Sequence, residues 1–337
     1  MGSTFLAPRD DRGTGTDGGG PRLLSLYEQM LIVRRAEERL SKLFADGEIP
    51  GFIHLSIGQE ATAVGVASAL GRADTIASTH RGHGHALAKG MDLVPFFQEL
   101  LGKEGGLCRG RGGSMHVADT TIGMLGANGI VGAGLPIALG SALAHQVRGD
   151  GAVAVAFFGD GAVAEGVLHE TMNMAALWRL PLLLVCEHNG WSEFSPSARQ
   201  LAVDLAQLAG AFGIRHERVD GDDVEAVSRA AAGAVAELRR GAGPRFLECT
   251  THRVRGHYEG DPQKYRDPAE LEALARHDPL ARCRRRLTEQ GAGAAELEAV
   301  QARVAAAVEA AVEAARTAPL PELGSALADV YARDGRR

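Results

Sequence analysis

Two uninterrupted apolar runs constrain this chain most. "AVAVAFF" fills residues 152–158 and "PLLLVC" fills 181–186. Runs this continuous suit strands buried on both faces, as in parallel sheets with helices on either side. Between them "AEGVLHETMNMAALW" reads as a helix. A right-handed strand–helix–strand crossover then sets the two strands close together in one sheet. The alternation continues. "LPIALGSALAHQV" (135–147), "LAVDLAQLAGAF" (201–212) and "DVEAVSRAAAGAVAELRR" (223–240) read as helices. "RHERVD" (215–220) and "PRFLECTTHR" (244–253) read as strands. The predicted fold class is α/β, a parallel sheet with helices on both faces and extra helices at the two ends.

Residues 1–20 end in "DRGTGTDGGG", too polar and glycine-rich to bury anything, and predict a disordered tail. Helical spacing from Leu23 to Phe44 predicts an amphipathic helix, and "GQEATAVGVASAL" a second. Glycine is dense between Lys103 and Asn128; a loop this long in a compact domain is usually functional. The predicted organisation is a tail (1–20), an α/β domain (21–266) and an alanine-rich helical extension (267–337) packed on it. A net charge of −6 gives no electrostatic case for nucleic acid or an anionic membrane. No apolar run approaches the roughly 20 residues of a membrane span. Four scattered cysteines without a C-x-x-C pair read as reduced thiols, and cytoplasmic location is the expectation.

The chemistry gathers where the strands end. "AFFGDGAVAEG" is a strand, a tight Gly-Asp-Gly turn and a helix start, and in "VCEHNGW" the next strand breaks into polar residues. Ligands in open parallel sheets collect beyond the carboxyl ends of strands. Asp160 and Asn189 would sit there side by side, a carboxylate and an amide oxygen suited to Mg²⁺. Gly161 allows close backbone approach, and a helix N-terminus favours an anion. On spacing alone, a plainer alternative fits as well: Asp160 caps a helix and Asn189 makes a turn.

"GDGAVAEG" followed by "VCEHNGW" resembles the thiamine diphosphate signature. With "GFIHLSIGQEA", "STHRGHGHALAKG", "GRGGSMH", "GMLGANGIVGAG", "NMAALWRLPLLLVCEHN" and "RVRGHYEGDPQKYR" in order, the chain resembles the alpha subunit of the decarboxylating component of 2-oxo-acid dehydrogenase complexes, the pyruvate and acetoin dehydrogenase type. The resemblance implies thiamine diphosphate and Mg²⁺ as cofactors. Asp160, Asn189 and the carbonyl of Trp191 would hold the metal. Gly161, Ala162, Arg81, Arg253 and His257 would meet the phosphates or the reaction centre, and Gly129 and Val131 the aminopyrimidine side. His54, His80 and His257 become the candidate catalytic residues. A polar loop of solvated histidines is the plainer alternative for "THRGHGH", and a hydrogen-bonded core residue for His54.

The same resemblance implies a beta subunit that supplies a glutamate, in an α₂β₂ assembly, and a lipoyl acyltransferase or carrier protein as acyl acceptor. The substrate is a small 2-oxo acid or acetoin; "GHYEGDPQKYR" and "HRGHGH" lean toward acetoin. Three competing readings remain: transketolase-like two-carbon transfer to a carrier protein, a nicotinamide-dependent dehydrogenase, and a non-catalytic partner of a beta chain. "VGAGLPIALG" resembles a glycine fingerprint for the second but lacks its spacing. Where relatives carry Asn-Asn, this chain has His188-Asn189, and His188 is open to interpretation: it would tune hydrogen bonding or substrate preference.

Overall fold

The computed structural model describes residues 23–326. The segment 1–20 and residues 327–337 of the C-terminal extension lie outside them. Helices α1 (Leu23–Ala45), α2 (Glu60–Ala67), α3 (His83–Ala88) and α4 (Leu93–Leu100) come first, with short strands β1 (Thr75–Ala77) and β2 (Met124–Gly126). The central run follows: α5 (Gly134–Arg148), β3 (Ala154–Gly159), α6 (Gly166–Leu177) and β4 (Leu182–His188). A small hairpin, β5 (Trp191–Ser192) and β6 (Ser195–Pro196), precedes α7 (Leu205–Ala211), β7 (Arg215–Asp220), α8 (Val224–Arg239) and β8 (Arg245–Thr250). Helices α9 (Pro268–Ala273), α10 (Pro279–Glu289) and α11 (Ala294–Thr317) complete the described chain.

Six strands form one sheet in the order β2-β1-β3-β4-β8-β7, and every neighbouring pair is parallel. The two apolar runs lie at its centre, as their continuity predicts. Successive side chains of a strand point to opposite faces, and the core divides accordingly. Val155, Phe157, Leu183 and Val185 join a cluster with α1, α2, α8, α10 and α11. Ala154, Ala156, Phe158, Leu182 and Leu184 join a second cluster with α5, α6 and α7. The edge strand β7, "RHERVD", carries charges outward, which discourages pairing with another chain.

Some boundaries differ from the sequence pattern. The helix expected over 201–212 starts at Leu205, because Asp204 caps it by accepting from the Gln207 N–H. The strand expected over 244–253 stops at Thr250, freeing Thr251–Arg253 for a loop. Strands β1 and β2 escape pattern reading: three residues each are too few for a period to show. The histidines of "THRGHGH" are not a solvated loop. His83 and His85 are buried in α3, where His83 pairs with Glu37 and Ser114, and His85 with Ser78 and Glu187.

The glycine-rich segment after α4 is ordered by one side chain. Glu99 is fully buried. Its Oε2 accepts from the N–H groups of Cys108 (2.7 Å) and Gly110 (2.9 Å). Its Oε1 accepts from those of Gly112 (2.7 Å) and Gly113 (3.1 Å). A Cβ on Gly106 would lie 2.5 Å from Oε2, so the chain there must stay bare to wrap the carboxylate. Glu99→Gln turns one acceptor oxygen into a donor facing two N–H donors. The expected cost is about 2 kcal/mol or more, read as a lower urea midpoint and faster proteolytic nicking between residues 102 and 113. An unchanged midpoint and nicking rate would discount this anchoring role.

Candidate active site

Strand order reverses between β1 and β3: the chain runs outward from β1 to β2 on one side and from β3 to β4 on the other. Such a switch point opens a crevice beyond the strand ends. A cavity of about 380 Å³ lies here. Its walls come from the segments that follow β1, β3, β4 and β8, from the α1–α2 loop, and from residues 128–132. Every candidate residue named from sequence lines it: His54, His80, Arg81, Gly129, Val131, Asp160, Gly161, Ala162, Asn189, Trp191, Arg253 and His257.

The register of β3 on β4 pairs Gly159 with Glu187, so Asp160 follows at the level of His188. Asp160 is buried, and its two oxygens differ. Oδ2 accepts from the Gly190 N–H (2.9 Å) and from the Ser197 hydroxyl. Oδ1 is buried without a hydrogen-bond partner. Burial pushes the Asp160 carboxyl up, against the Ser197 hydrogen bond, the charge of His188 and the backbone donors. A bare carboxylate oxygen at a cavity wall fits a cation, whose charge would offset that desolvation. The plainer reading of Asp160 as a helix cap is set aside, since the N-cap of α6 is Glu165. Asn189 does make a turn: its Oδ1 accepts from the Trp191 N–H at 3.1 Å. An amide oxygen has a second lone pair, so the turn fixes Asn189 without using up its capacity to ligate. Gly190 turns the chain with φ +81°, and Gly161 is bare where a Cβ would lie 2.7 Å from the Ser192 hydroxyl.

Cationic groups face this acidic corner. Arg253, 2% exposed, donates to the Glu193 carbonyl and the Tyr265 hydroxyl, while its Nε is buried and unpartnered. Arg81 spends its terminal nitrogens on the carbonyls of Leu55 and His257, which leaves less of its fork for a ligand than the sequence suggests. The bare Arg253 Nε and the bare Asp160 Oδ1 give the cavity one donor for an anion and one acceptor for a cation. That donor set fits a metal–diphosphate group.

His54, His80 and His257 come from three separate segments, and their ring centroids lie 4.7–5.4 Å apart. Burial, then the positive charge of Arg81, pushes His54 down to about 3, His80 to about 2 and His257 to about 4. All three are neutral imidazoles near pH 7. His188 also finds a place. Its Nδ1 meets Glu248 at 2.8 Å, and its Nε2 lies 3.6 Å from Asp160 Oδ2. Glu248 is fully buried, yet hydrogen bonds from His188, Arg218 and His216 outweigh burial and hold it near about 2. That hydrogen bond to Glu248 raises His188 in turn. His188 thus links the corner at Asp160 to an ion cluster on β7 and β8.

Sequence reasoning missed Glu187, Ser197 and Tyr265. Glu187 lines the cavity and pairs with His85, which stacks on Phe157 at 3.8 Å. A carboxylate ending the apolar run "LLLVC" was the signal available for it. Ser197 and Tyr265 carry no such signal, since they reach the site only through the hairpin and the loop after β8.

The depressed histidines set an acid limit. Their unfolded value is about 6.5, so above it both states are neutral and the contribution is complete. Below it the unfolded chain binds protons the folded site rejects, and stability is lost as pH falls from about 6.5 toward 4. Replacing His54, His80 and His257 together by Asn should flatten the pH dependence of the urea midpoint across that window. An unchanged slope would mean that the rings are not buried as neutral groups.

A family model described as "Dehydrogenase E1 component" matches residues 28–324. The alpha subunit of acetoin:2,6-dichlorophenolindophenol oxidoreductase from Cupriavidus necator is 47% identical over 312 residues, 92% of this chain and 94% of that protein. Its counterpart from Bacillus subtilis is 44% identical over 92% of this chain and 93% of that protein. The pyruvate dehydrogenase E1 component subunit alpha of Rhizobium meliloti is 41% identical over 91% and 89%. With these matches laid over the switch-point cavity, the chain belongs to the dehydrogenase E1 component family, as an oxidoreductase chain of the alpha-subunit type.

Proposed function

We propose that this chain is the alpha subunit of a thiamine diphosphate-dependent acetoin dehydrogenase, with Mg²⁺ held by Asp160, Asn189 and the Trp191 carbonyl. The observation that carries it is the divided carboxylate of Asp160. One oxygen is locked by Gly190 and Ser197, and the other is buried without a hydrogen-bond partner on a residue that lines the cavity. When bound, thiamine diphosphate supplies a carbon nucleophile and electron sink for cleaving the bond next to a carbonyl.

The chain's own residues bind and orient. Arg253 offers its free Nε to phosphate oxygens, assisted by Arg81, and Gly161 and Ala162 let the diphosphate approach the backbone. Gly129 and Val131 support the ring end. His54, His80 and His257 form a neutral wall whose ring nitrogens donate to or accept from the substrate's oxygens. Acetoin as the substrate is supported by the likeness to the two acetoin:2,6-dichlorophenolindophenol oxidoreductase alpha subunits, at 47% and 44% identity. His257 stands 3.5 Å from Arg253 and can hold a proton at Nδ1 only when that guanidinium is otherwise engaged.

A beta subunit, in an α₂β₂ arrangement, would cover the cavity's rim. Ile130 is 71% exposed and Val131 48%, an apolar lip beside the site. Helices α5 and α6, with Trp178 at the end of α6, expose Ile137, Leu143, Val147, Leu177 and Trp178. Exposed apolar patches of this kind mark association surfaces. A lipoyl-bearing acyltransferase would take the acyl unit, in the cytoplasm. No described helix is long and apolar enough to cross a membrane.

The test is turnover of the chain with its beta subunit, thiamine diphosphate and Mg²⁺, using 2,6-dichlorophenolindophenol as electron acceptor. Acetoin should react faster than pyruvate. Asp160→Ala should lower Mg²⁺-dependent cofactor affinity and kcat/KM by roughly 100-fold or more. Faster turnover of pyruvate would overturn the substrate, and a variant with normal cofactor affinity would overturn the metal assignment.

A further inference from the structure

A second cluster of ligating side chains lies outside the cavity described above. Asp222 sits in the turn between β7 and α8, His252 in the loop after β8, and His277 between α9 and α10. Their ligand atoms all lie within 4.8 Å of one another. Asp222 Oδ2 is 2.8 Å from His252 Nδ1 and 3.4 Å from His277 Nδ1. The two imidazoles stack with centroids 3.8 Å apart and planes 22° from parallel, so both present the same edge to one carboxylate.

We propose that Asp222, His252 and His277 form a binding site for a late first-row divalent cation of the Zn²⁺ class. Two imidazoles and one carboxylate are a donor set for Zn²⁺ and its neighbours, not for Mg²⁺ or Ca²⁺, which take mainly oxygen. Tetrahedral bonds of about 2.0–2.1 Å put ligand atoms roughly 3.4 Å apart. The His277 contact already has that separation, and the His252 contact must open by about half an ångström. The convergence of three ligand atoms is what points to a cation, on a carboxylate that is itself buried and only half satisfied. Asp222 is 4% exposed, and its Oδ1 is buried without a hydrogen-bond partner. The neighbouring carboxylates are already engaged: Asp220 and Asp223 pair with Arg282, and Asp223 and Glu225 with Arg286. Among the described residues Asp222 is thus the carboxylate of this group that no arginine pairs with; its Oδ2 faces only the two imidazoles. The His277 side chain is 44% exposed and His252 34%, which leaves entry for the ion and room for water as a further ligand. The site would clamp three segments that are distant in sequence. One of them is the base of the loop that begins at Arg253 and carries His257 into the active site.

The experiment is Zn²⁺ titration of the assembled protein, saturated with thiamine diphosphate and Mg²⁺, against a chromophoric chelator. Co²⁺ visible absorption reports coordination in parallel. One equivalent should bind, and His277→Ala should weaken it by more than roughly 100-fold, beyond what losing a residue that merely supports a ligand costs. His277 is half exposed, so this variant keeps the fold; His252→Ala should give the same loss. Hydrogen exchange across residues 253–266 should slow on adding Zn²⁺ to the parent protein and not to H277A. Binding that survives in H277A would overturn the proposal, and binding abolished by His80→Ala instead would place the ion on the three-histidine wall and overturn it as well. Absence of stoichiometric binding in the parent protein would overturn it equally.

Discussion

The side-by-side pairing of β3 and β4 is the constraint on which the rest of the molecule turns. Both strands are apolar throughout, so they can lie only at the centre of a sheet covered on two sides. Once paired in parallel they must end at one level, and whatever follows each strand is delivered to the same place. Asp160 follows one strand, and Asn189 with Gly190 follows the other. The hydrogen bond from Gly190 to Asp160 is the seam that closes the two strand ends. Register, and not any property of the loops themselves, brings the acceptors together.

Around that seam, buried carboxylates hold the irregular segments in place. Glu37 receives the N–H and hydroxyl of Ser56 and a ring nitrogen of His83. Glu99 gathers the glycine-rich segment and Glu248 holds His188, while the half-buried Asp261 takes the His257 N–H and the Tyr265 hydroxyl. A carboxylate withdrawn from water is costly unless donors surround it, and the segments around these groups supply them, from backbone N–H groups at Glu99 and from His188, His216 and Arg218 side chains at Glu248. The arrangement exchanges secondary structure for point anchorage. It permits walls made of glycine and histidine, which could not form a helix or strand at those positions.

Much of this was legible in the chain. The continuous apolar runs fixed the central strands, and the Gly-Asp-Gly turn with the polar break at Glu187 marked the site. What the pattern could not show was tertiary. Strands β1 and β2 owe their existence to neighbours already in place. Arg81 looks from its sequence like a free phosphate-binding fork, yet two backbone carbonyls occupy it. His188 had no assignable role because its partners, Glu248 and Asp160, lie 60 and 28 residues away along the chain and meet it only through sheet pairing.

The helix pair α5 and α6 turns one apolar side inward to the sheet and leaves Ile137, Leu143, Val147, Leu177 and Trp178 facing water. Water tolerates such a face poorly. In the proposed assembly a partner would cover this face, so the chain's exposure of apolar surface would depend on the supply of that partner. In that assembly, a surplus of this polypeptide over its partner would leave the face bare. Under the proposed α₂β₂ arrangement, matched amounts of the two chains would follow from the chemistry of this surface and not from regulation alone.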